Sequence, residues 1–461
     1  MNPIHYLIIG NGAAGVSAAE TICYNDPAGK ITIVSAEPHP MYSRPGLAYV
    51  LLGAISPKQV FARQPEWYAH HRINLVHGQA VQLDSVKQQV KLDNGQVLPY
   101  DQLLIATGAR ATPAPYRGSD LQGVVFLDTL EGTRDLIRQA KRARRAVVIG
   151  GGITALELSE GLAHRGVETH YFVRRNRLWS QVFNDGEAKV LEERMREHGV
   201  IIHYNTEAVE ILGNKRGRVR GVQLKSGEEF KCDIVGVAIG VKPQLDLVRE
   251  TPLKVDRAIL VNEFMESNVP HIYAAGDCAQ VYDRWTDQYM LDILWPSAVA
   301  EGRAAGLNMS GRQSAYVKGS PFNACLLFGL HIAAIGQINP GRETPGADGA
   351  TGDEAEVVQH LSRGSSEVWF TLPQLYASAW SEDGPNTVRL VLSGDYLVGA
   401  LVIGDQSLAD SLRYIIENQI DIRDLIPALR AGGRALRQSV TQFWYQLSSS
   451  QAQSPLYQQA R

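Results

Sequence analysis

Gly10-Asn11-Gly12-Ala13-Ala14-Gly15 follows the apolar run YLII and precedes an alanine-rich stretch. Strand, tight turn and helix in that order form a cradle for a pyrophosphate. The first glycine permits the turn, the second lets backbone approach phosphate oxygens, and the third lets helix pack on strand. The helix N-terminus then presents free amides and the positive end of its dipole to the anion. At the end of the next strand a carboxylate can accept a hydrogen bond from a ribose hydroxyl. In KITIVSAEP the only carboxylate is Glu37.

The pattern recurs. RRAVVIGGGITALELSEGLAHRGVETHYFVRR repeats strand, turn, helix and strand, with Gly150, Gly152 and Ala155 in the three roles and Ile153 and Thr154 opening the helix. Two cradles imply two dinucleotides. The second strand here ends at Val173 and continues into Arg174 and Arg175, with Arg177 beyond. A carboxylate would bind a free ribose diol, whereas arginine accommodates a 2′-phosphate, so the composition leans to NADPH over NADH. Further on, NVPHIYAAGDCAQ sets Gly276 and Asp277 after another apolar strand. A helix is expected to begin there, its N-terminus capped by Asp277, which can also accept from a ligand hydroxyl.

These segments need a large scaffold. The chain has 461 residues, 44% hydrophobic, which is enough for two or three domains with well-buried cores. Forty-five basic against 48 acidic side chains leave a formal charge of -3, which argues against nucleic acid as a partner. MNPIHYLIIGNG runs directly into a strand without a basic flank or cleavage site, so no signal peptide is expected and a cytoplasmic location is the default. Cys23, Cys232, Cys278 and Cys325 are scattered, showing neither metal-type pairs nor a disulfide framework, and His70-His71 lacks matching ligands, so no metal site is expected. KRARR, residues 141–145, is expected to end a helix, where cations complement the dipole.

From about residue 318 the composition changes. PFNACLLFGLHIAAIGQI reads as buried sheet, and EVVQHL, SEVWFTL, TVRLVLS and YLVGALVIG read as further strands of an antiparallel sheet. Helices are expected in SLADSLRYIIENQ and IRDLIPALR. RALRQSVTQFWYQL has apolar and aromatic residues at helical spacing beside arginines. Such a helix can lie on a membrane surface but more often packs on its own protein or a subunit. The tail after Ser448 is expected to be disordered.

The ordered set resembles the FAD- and pyridine-nucleotide-dependent oxidoreductases of the two-dinucleotide fold, the glutathione-reductase superfamily. That family inserts its nicotinamide domain into its flavin domain. YDQLLIATGAR matches the exit from the first flavin half, CDIVGVAIGVKP the return and IYAAGDCA the ribityl contact. The resemblance implies an α/β chain with a glutathione-reductase-like double Rossmann-type fold plus a C-terminal α+β domain. It places residues 1–112 and 250–318 in an FAD-binding domain, 113–249 in an NAD(P)-binding domain, 319–447 in a C-terminal interface domain and 448–461 in a flexible tail. It further implies that Gly10, Gly12, Ala13, Ala14, Gly15 and Glu37 hold the adenosine diphosphate end of FAD, and that Asp277 holds its ribityl chain. Arg44, Pro45, Ala106, Thr107, Gly108, Gly240, Gly276 and Trp295 would also line the cofactors, and Gly150, Gly152, Ile153, Thr154 and Ala155 would hold the nicotinamide cofactor, with Arg174 and Arg175 beside it.

Within that superfamily, VSAEPHPMYSRPGLAYVLLG looks least like the disulfide reductases, because it contains no cysteine. It looks most like ferredoxin and rubredoxin reductases and the flavin part of assimilatory nitrite reductases, through Tyr42, Arg44, Pro45 and Leu47. Several ferredoxin reductases carry a lysine where this sequence has Tyr49. Glu157, Arg44 and Tyr49 are expected nearest the reacting rings. Disulfide exchange requires a thiolate that can attack and be re-attacked, so the electrons must leave by another route. The resemblance implies hydride transfer from NADPH or NADH to FAD N5 and delivery to a small iron-sulfur redox protein, from a homodimer. A helix N-terminus after Asp277 would place positive potential beside the flavin. Two alternatives are direct reduction of quinone or oxygen and an NADH-responsive flavoprotein binding or signalling module.

Overall fold

The apolar run His5–Ile9 forms the middle strand of a five-stranded parallel sheet ordered Ile272–Ala274, Gln102–Ile105, His5–Ile9, Lys30–Ser35 and Asn74–His77. Parallel strands are covered on both faces, which is why this segment reads as continuous rather than alternating apolar sequence. The computed structural model describes residues 3–283, 288–338, 376–383, 385–431 and 433–452. Among them the chain divides into two compact units, one of residues up to 176 and from 196 to 318, the other of residues 177–195 and the described residues from 319 on.

In the first unit, helices α1 (Ala13–Asn25), α2 (Gly46–Leu52) and α3 (Pro65–His70) belong to the first nucleotide-binding part. α4 (Leu130–Ala140) starts where Thr129 Oγ1 accepts from Gly132 N at 3.1 Å. It stops before the basic run, whose Arg145 instead opens a strand and pairs with Glu168 at 2.7 Å. A second five-stranded parallel sheet follows, ordered Val200–Tyr204, Glu168–Val173, Arg145–Ile149, Ile234–Val237 and Val124–Val125. α5 (Ile153–His164) crosses between its central strands, and α6 (Asp185–Glu197), whose residues 185–195 belong to the second unit, precedes its edge strand in sequence. The polypeptide leaves the first sheet through Ala109–Ala111 and returns through Val241–Pro243, which pair as an antiparallel ribbon. α7 (Trp295–Met309) then packs along α1.

Small residues bring those two helices together. A Cβ on Gly302 would lie 2.2 Å from the backbone oxygen of Ala14, and one on Gly306 would lie 2.7 Å from that of Ala18. Only glycine at these two positions allows α7 so close to α1.

The second unit is built on the antiparallel sheet Phe322–Leu327, Leu330–Gly336, Tyr396–Ile403, Asn386–Ser393 and Tyr376–Asp383. PFNACLLFGLHIAAIGQI is a hairpin whose second strand is buried, as expected, while its first, Phe322–Leu327, is mostly half-exposed; TVRLVLS and YLVGALVIG are strands. EVVQHL and SEVWFTL lie outside the described residues. α8 (Ala409–Glu417), α9 (Ile426–Ala431) and α10 (Gly433–Ala452) complete the unit. In α10, Leu436 and Val440 are buried with Val388, Leu390 and Ala400, while Phe443, Trp444 and Leu447 pack against the same core. The apolar stripe therefore belongs to this unit's interior rather than to a membrane surface. The helix also runs to Ala452, past the expected start of a disordered tail, and residues 453–461 lie outside the described residues. Among the described residues no helix is long and apolar enough to cross a membrane.

Candidate functional site

Gly10 sits at φ +123, and a Cβ there would lie 2.0 Å from the backbone oxygen of Ala106. The turn thus needs glycine twice over, for its dihedral and for its contact with the neighbouring strand. A Cβ on Gly15 would strike the Gly10 oxygen at 2.0 Å, so that residue closes helix on strand. At Gly12, the N-cap of α1, a Cβ would meet nothing within 4 Å. The three glycines therefore differ physically as the motif demands: two are crowded by protein, and the middle one faces open space at a helix N-terminus. This fits a pyrophosphate. Ala13 and Ala14 open the helix, and Ala106 N donates to Ile9 O at 2.8 Å. Thr107 is fixed by reciprocal hydrogen bonds with Gln244, its Oγ1 donating to Gln244 O and its own oxygen accepting from Gln244 Nε2, both at 2.8 Å. Gly108, at φ +69, accepts from Gln244 N at 2.9 Å.

Glu37 ends its strand's exit as predicted, but its carboxylate has company. Tyr42 Oη donates to both carboxylate oxygens at 3.0 and 2.8 Å, and Arg44 Nη2 donates at 2.9 Å. Arg44 Nη1 also donates to the backbone oxygen of Asp128 at 3.0 Å, and Asp128 Oδ2 accepts from Ala111 N at 3.0 Å. Arg44 therefore ties Glu37 to the segment entering the second nucleotide-binding part. Asp277 contributes to the negative surroundings that stabilise its charge. Pro45 is the N-cap of α2, and Tyr49 lies half-buried within that helix. Asp128 and Gln244 escaped sequence reasoning, since neither sits in a recognisable motif.

In the second cradle, Gly150 at φ +152 would carry a Cβ 2.2 Å from the Ala238 oxygen and 3.1 Å from Ala155 Cβ, while one on Gly151 would meet nothing within 4 Å. Gly152 caps α5, which begins with Ile153 and Thr154. Gly240, at φ +106, accepts from Thr112 N at 2.9 Å. Arg174 and Arg175 follow the strand ending at Val173 and are exposed, with no ion pair among the described residues.

α5 joins the two cradles. A Cβ on its Gly161 would lie 2.4 Å from Leu51 Cγ of α2, and Arg165 Nε donates to Leu51 O at 2.6 Å. One turn before Gly161, Glu157 is half-buried and makes no hydrogen bond among the described residues. Burial, with Glu160 adding repulsion, pushes its carboxyl up to about 8. It therefore carries a proton at neutral pH.

Gly276 and Asp277 occupy a turn closed by Ala279 N donating to Gly276 O at 2.8 Å. The expected helix does not follow. AQVYD instead forms the strand Ala279–Asp283, paired with Gln288–Met290, with Ala279, Val281 and Asp283 buried on one face and Gln280 buried on the other. The helix N-terminus comes later, at Trp295 of α7, so a dipole directly after Asp277 is not available. The Gly276 amide is held by Glu301 Oε2 at 2.7 Å, and a Gly276 Cβ would be 3.1 Å from Ala14 Cβ, which places this turn beside the first cradle. Glu301 belongs to a buried group that sequence reasoning passed over. Lys318 Nζ lies 3.6 Å from Asp283 and 3.4 Å from Asp292, and burial with Asp292 holds the Glu301 carboxyl well above its usual range. An acid in the otherwise small-residue helix WPSAVAEGRAAG was the available signal.

None of the four cysteines forms a disulfide. Cys278 is fully buried, its Sγ donating to Ile105 O at 3.3 Å and to Ala275 O at 3.5 Å, and burial raises its pKa. It is packed as a small apolar side chain. Among the described residues no group of three or more His, Cys, Asp or Glu side chains could hold a metal ion.

The nitrite reductase (NAD(P)H) of Bacillus subtilis is 28% identical over 421 residues, covering 91% of this chain and 48% of the relative. The rubredoxin-NAD(+) reductase of Pseudomonas putida is 30% identical over 275 residues, 59% of this chain and 71% of the relative. The chain spans about half the length of the first curated relatives it matches, 48% and 43%. Among solved structures, an NAD-dependent persulfide reductase from A. fulgidus shares the fold at a TM-score of 0.79 and 23% identity, covering 96% of this chain and 84% of that one. A ferredoxin reductase from Rhodopseudomonas palustris does so at 0.77 and 22%, covering 90% and 95%. The fold is thus the two-dinucleotide-binding α/β fold with a C-terminal α+β part. Residues 4–302, which contain both cradles and the Gly276-Asp277 turn, match one family throughout, and the chain belongs to it: the pyridine nucleotide-disulphide oxidoreductases.

Proposed function

We propose that this chain is an FAD-dependent NAD(P)H oxidoreductase that passes hydride from NADPH or NADH to FAD N5 and then hands electrons to a separate small iron-sulfur protein. The observation that carries the reading is the pairing of α2 with α5. The helix beside Arg44 packs on the helix that opens the second cradle, through Leu51 and Gly161, so two dinucleotides held in the two cradles converge. No sulfur relay accompanies them, since α2 and its approach contain no cysteine and Cys278 is buried.

FAD, when bound, supplies the acceptance of two electrons and their onward release. The chain's own residues bind and orient. The α1 amides face the FAD pyrophosphate, Glu37 accepts from a ribose hydroxyl while Tyr42 and Arg44 fix its carboxylate, and Asp277 accepts from the ribityl chain. Glu301 holds the Gly276 amide and so sets the turn carrying Asp277. Trp295, half-buried at the head of α7, contributes an apolar wall. Glu157 keeps its proton near the reacting rings, with Tyr49 on the facing helix. Arg174 and Arg175 take the 2′-phosphate, which favours NADPH.

The acceptor class is the one the family resemblance implies, supported by a relative named for rubredoxin, while the cysteine-free α2 argues only against a disulfide relay. A cytoplasmic location and a homodimer complete the reading, as do flavin parts at 1–112 with 250–318 and a nicotinamide part at 113–249. Rapid-mixing reduction with NADPH and NADH, followed by a panel of ferredoxin, rubredoxin, quinone, CoA disulfide and oxygen, tests it. Fast reoxidation by an iron-sulfur protein is expected; fast turnover with CoA disulfide would overturn it.

A further inference from the structure

The ribbon that joins the two nucleotide-binding parts carries an unexpected charge pattern. Arg110 and Lys242 are direct cross-strand partners on its antiparallel strands. Like charges placed opposite each other repel and destabilise a strand pair. Asp246 relieves one of them, lying 3.3 Å from Arg110, but it is shared with Arg249 at 2.8 Å. Lys242 has no ion pair among the described residues. Arg110, Lys242 and Arg249, three cations against one carboxylate, rim a cavity of about 910 Å³. Its lining sets these charges and Thr112 and Thr251 beside an apolar wall, in which Val248 and Leu253 are buried and Phe126 and Leu245 are half-buried. No residue of either glycine cradle lines it.

We propose that this cavity is a third binding site, for an organic anion that joins an apolar body to a phosphate, sulfonate or carboxylate group. The size lies within the ordinary range for small-molecule sites, roughly 300–1,000 Å³. An anion seated between Arg110 and Lys242 converts the cross-strand repulsion into two charge-assisted hydrogen bonds, while its body covers the apolar wall. Both passages of the chain between the two nucleotide-binding parts run through this ribbon, so a ligand there braces the connection that sets their geometry. The concave shape with its apolar wall favours a small molecule over an acidic protein, for which an exposed convex surface would suffice.

The test uses the full chain saturated with FAD and NADP+, so that both cradles are filled. Calorimetric titration with 8-anilinonaphthalene-1-sulfonate, an apolar anion, is expected to give one saturable site, with inorganic phosphate alone binding more weakly. The double variant Arg110→Gln, Lys242→Gln should weaken the sulfonate at least about tenfold, the scale expected for losing charge-assisted contacts. It should leave FAD content and NADPH-dependent flavin reduction unchanged. In addition, Lys242→Glu replaces the repulsion with a cross-strand ion pair, so it should raise the thermal midpoint of the unliganded protein while abolishing sulfonate binding. Absence of saturable binding, or equal binding by the double variant, overturns the proposal. So does binding of an acidic redox protein that depends on Arg110 and Lys242 while the sulfonate fails to bind.

Discussion

Glu157 is where a single side chain gives the most specific expectation. Its folded pKa is raised to about 8 by burial and by Glu160. A carboxyl raised in the folded state binds a proton that the unfolded chain has already released, so its contribution to stability is full at low pH and declines as pH rises toward 8. Glu157→Gln removes that dependence. In the cofactor-free protein, the thermal midpoint of the variant minus that of the parent should grow between pH 5 and 8, and a flat difference would refute the shifted carboxyl. Arg174 tests a second role. Exposed and without an ion pair among the described residues, it is available for a 2′-phosphate, and a charge-assisted contact of this kind is worth about 1.5–3 kcal/mol. Arg174→Ala should therefore lower kcat/KM for NADPH by about tenfold or more while leaving NADH unchanged; equal loss for both cofactors would remove Arg174 from the phosphate site. At this scale the glycines and Glu37 were legible because motif and mechanism coincide. Glu301, Asp128 and Gln244 were not, because each acts through hydrogen bonds to segments distant in sequence.

At the scale of elements, the approach of α1 to α7 depends on absent side chains. Gly302 faces the Ala14 backbone with no room for a Cβ, and Ala14 belongs to the first cradle. Gly302→Val should push α7 away, at a cost of about 1–3 kcal/mol by the usual scale of overpacking, and lower FAD retention together with thermal midpoint. Measuring both on one preparation separates this from general destabilisation: full FAD retention at a lowered midpoint would mean the cradle does not depend on α7. Apolar runs bounded by turn residues predicted the strands well in TVRLVLS and YLVGALVIG, where consecutive residues are buried. Local pattern failed after Asp277. There GDCAQVYD offered both a capping acid and a strand, and pairing with the nearby segment Gln288–Met290, which carries no hairpin signal of its own in the sequence, decided for the strand. The aromatic helix α10 raised the opposite difficulty, since helical spacing shows that a stripe exists but not what covers it; the core of its own unit does.

For the whole molecule, the first concern is how segments far apart in sequence are held. Residues 177–195 fall in the stretch that sequence reasoning gave to the nicotinamide part, yet they join the C-terminal unit. Arg389 explains why: its guanidinium donates to Glu187 at 2.8 Å and to the Val182 oxygen at 2.6 Å, with both charged side chains largely buried. A lone arginine in a strand gave no sign of this partner 202 positions away. Arg389→Met strands a buried carboxylate and should cost about 3–5 kcal/mol in denaturant unfolding; a cost near zero would mean the pair is dispensable. The second concern is the route of the electrons. Disulfide reductases need thiolates, because only the deprotonated sulfur attacks. Here none of the four cysteines forms a disulfide, Cys278 and Cys232 are buried, and burial raises the pKa of both. In the proposed function, delivery to an outside acceptor proceeds without sulfur chemistry. Replacing all four cysteines by alanine should leave NADPH-dependent reduction of an iron-sulfur acceptor intact per bound FAD, with only the modest stability loss of trimmed buried side chains. Turnover lost while FAD content and flavin reduction persist would instead locate a thiol between flavin and acceptor, and would restore the disulfide mechanism that the sequence of α2 argues against.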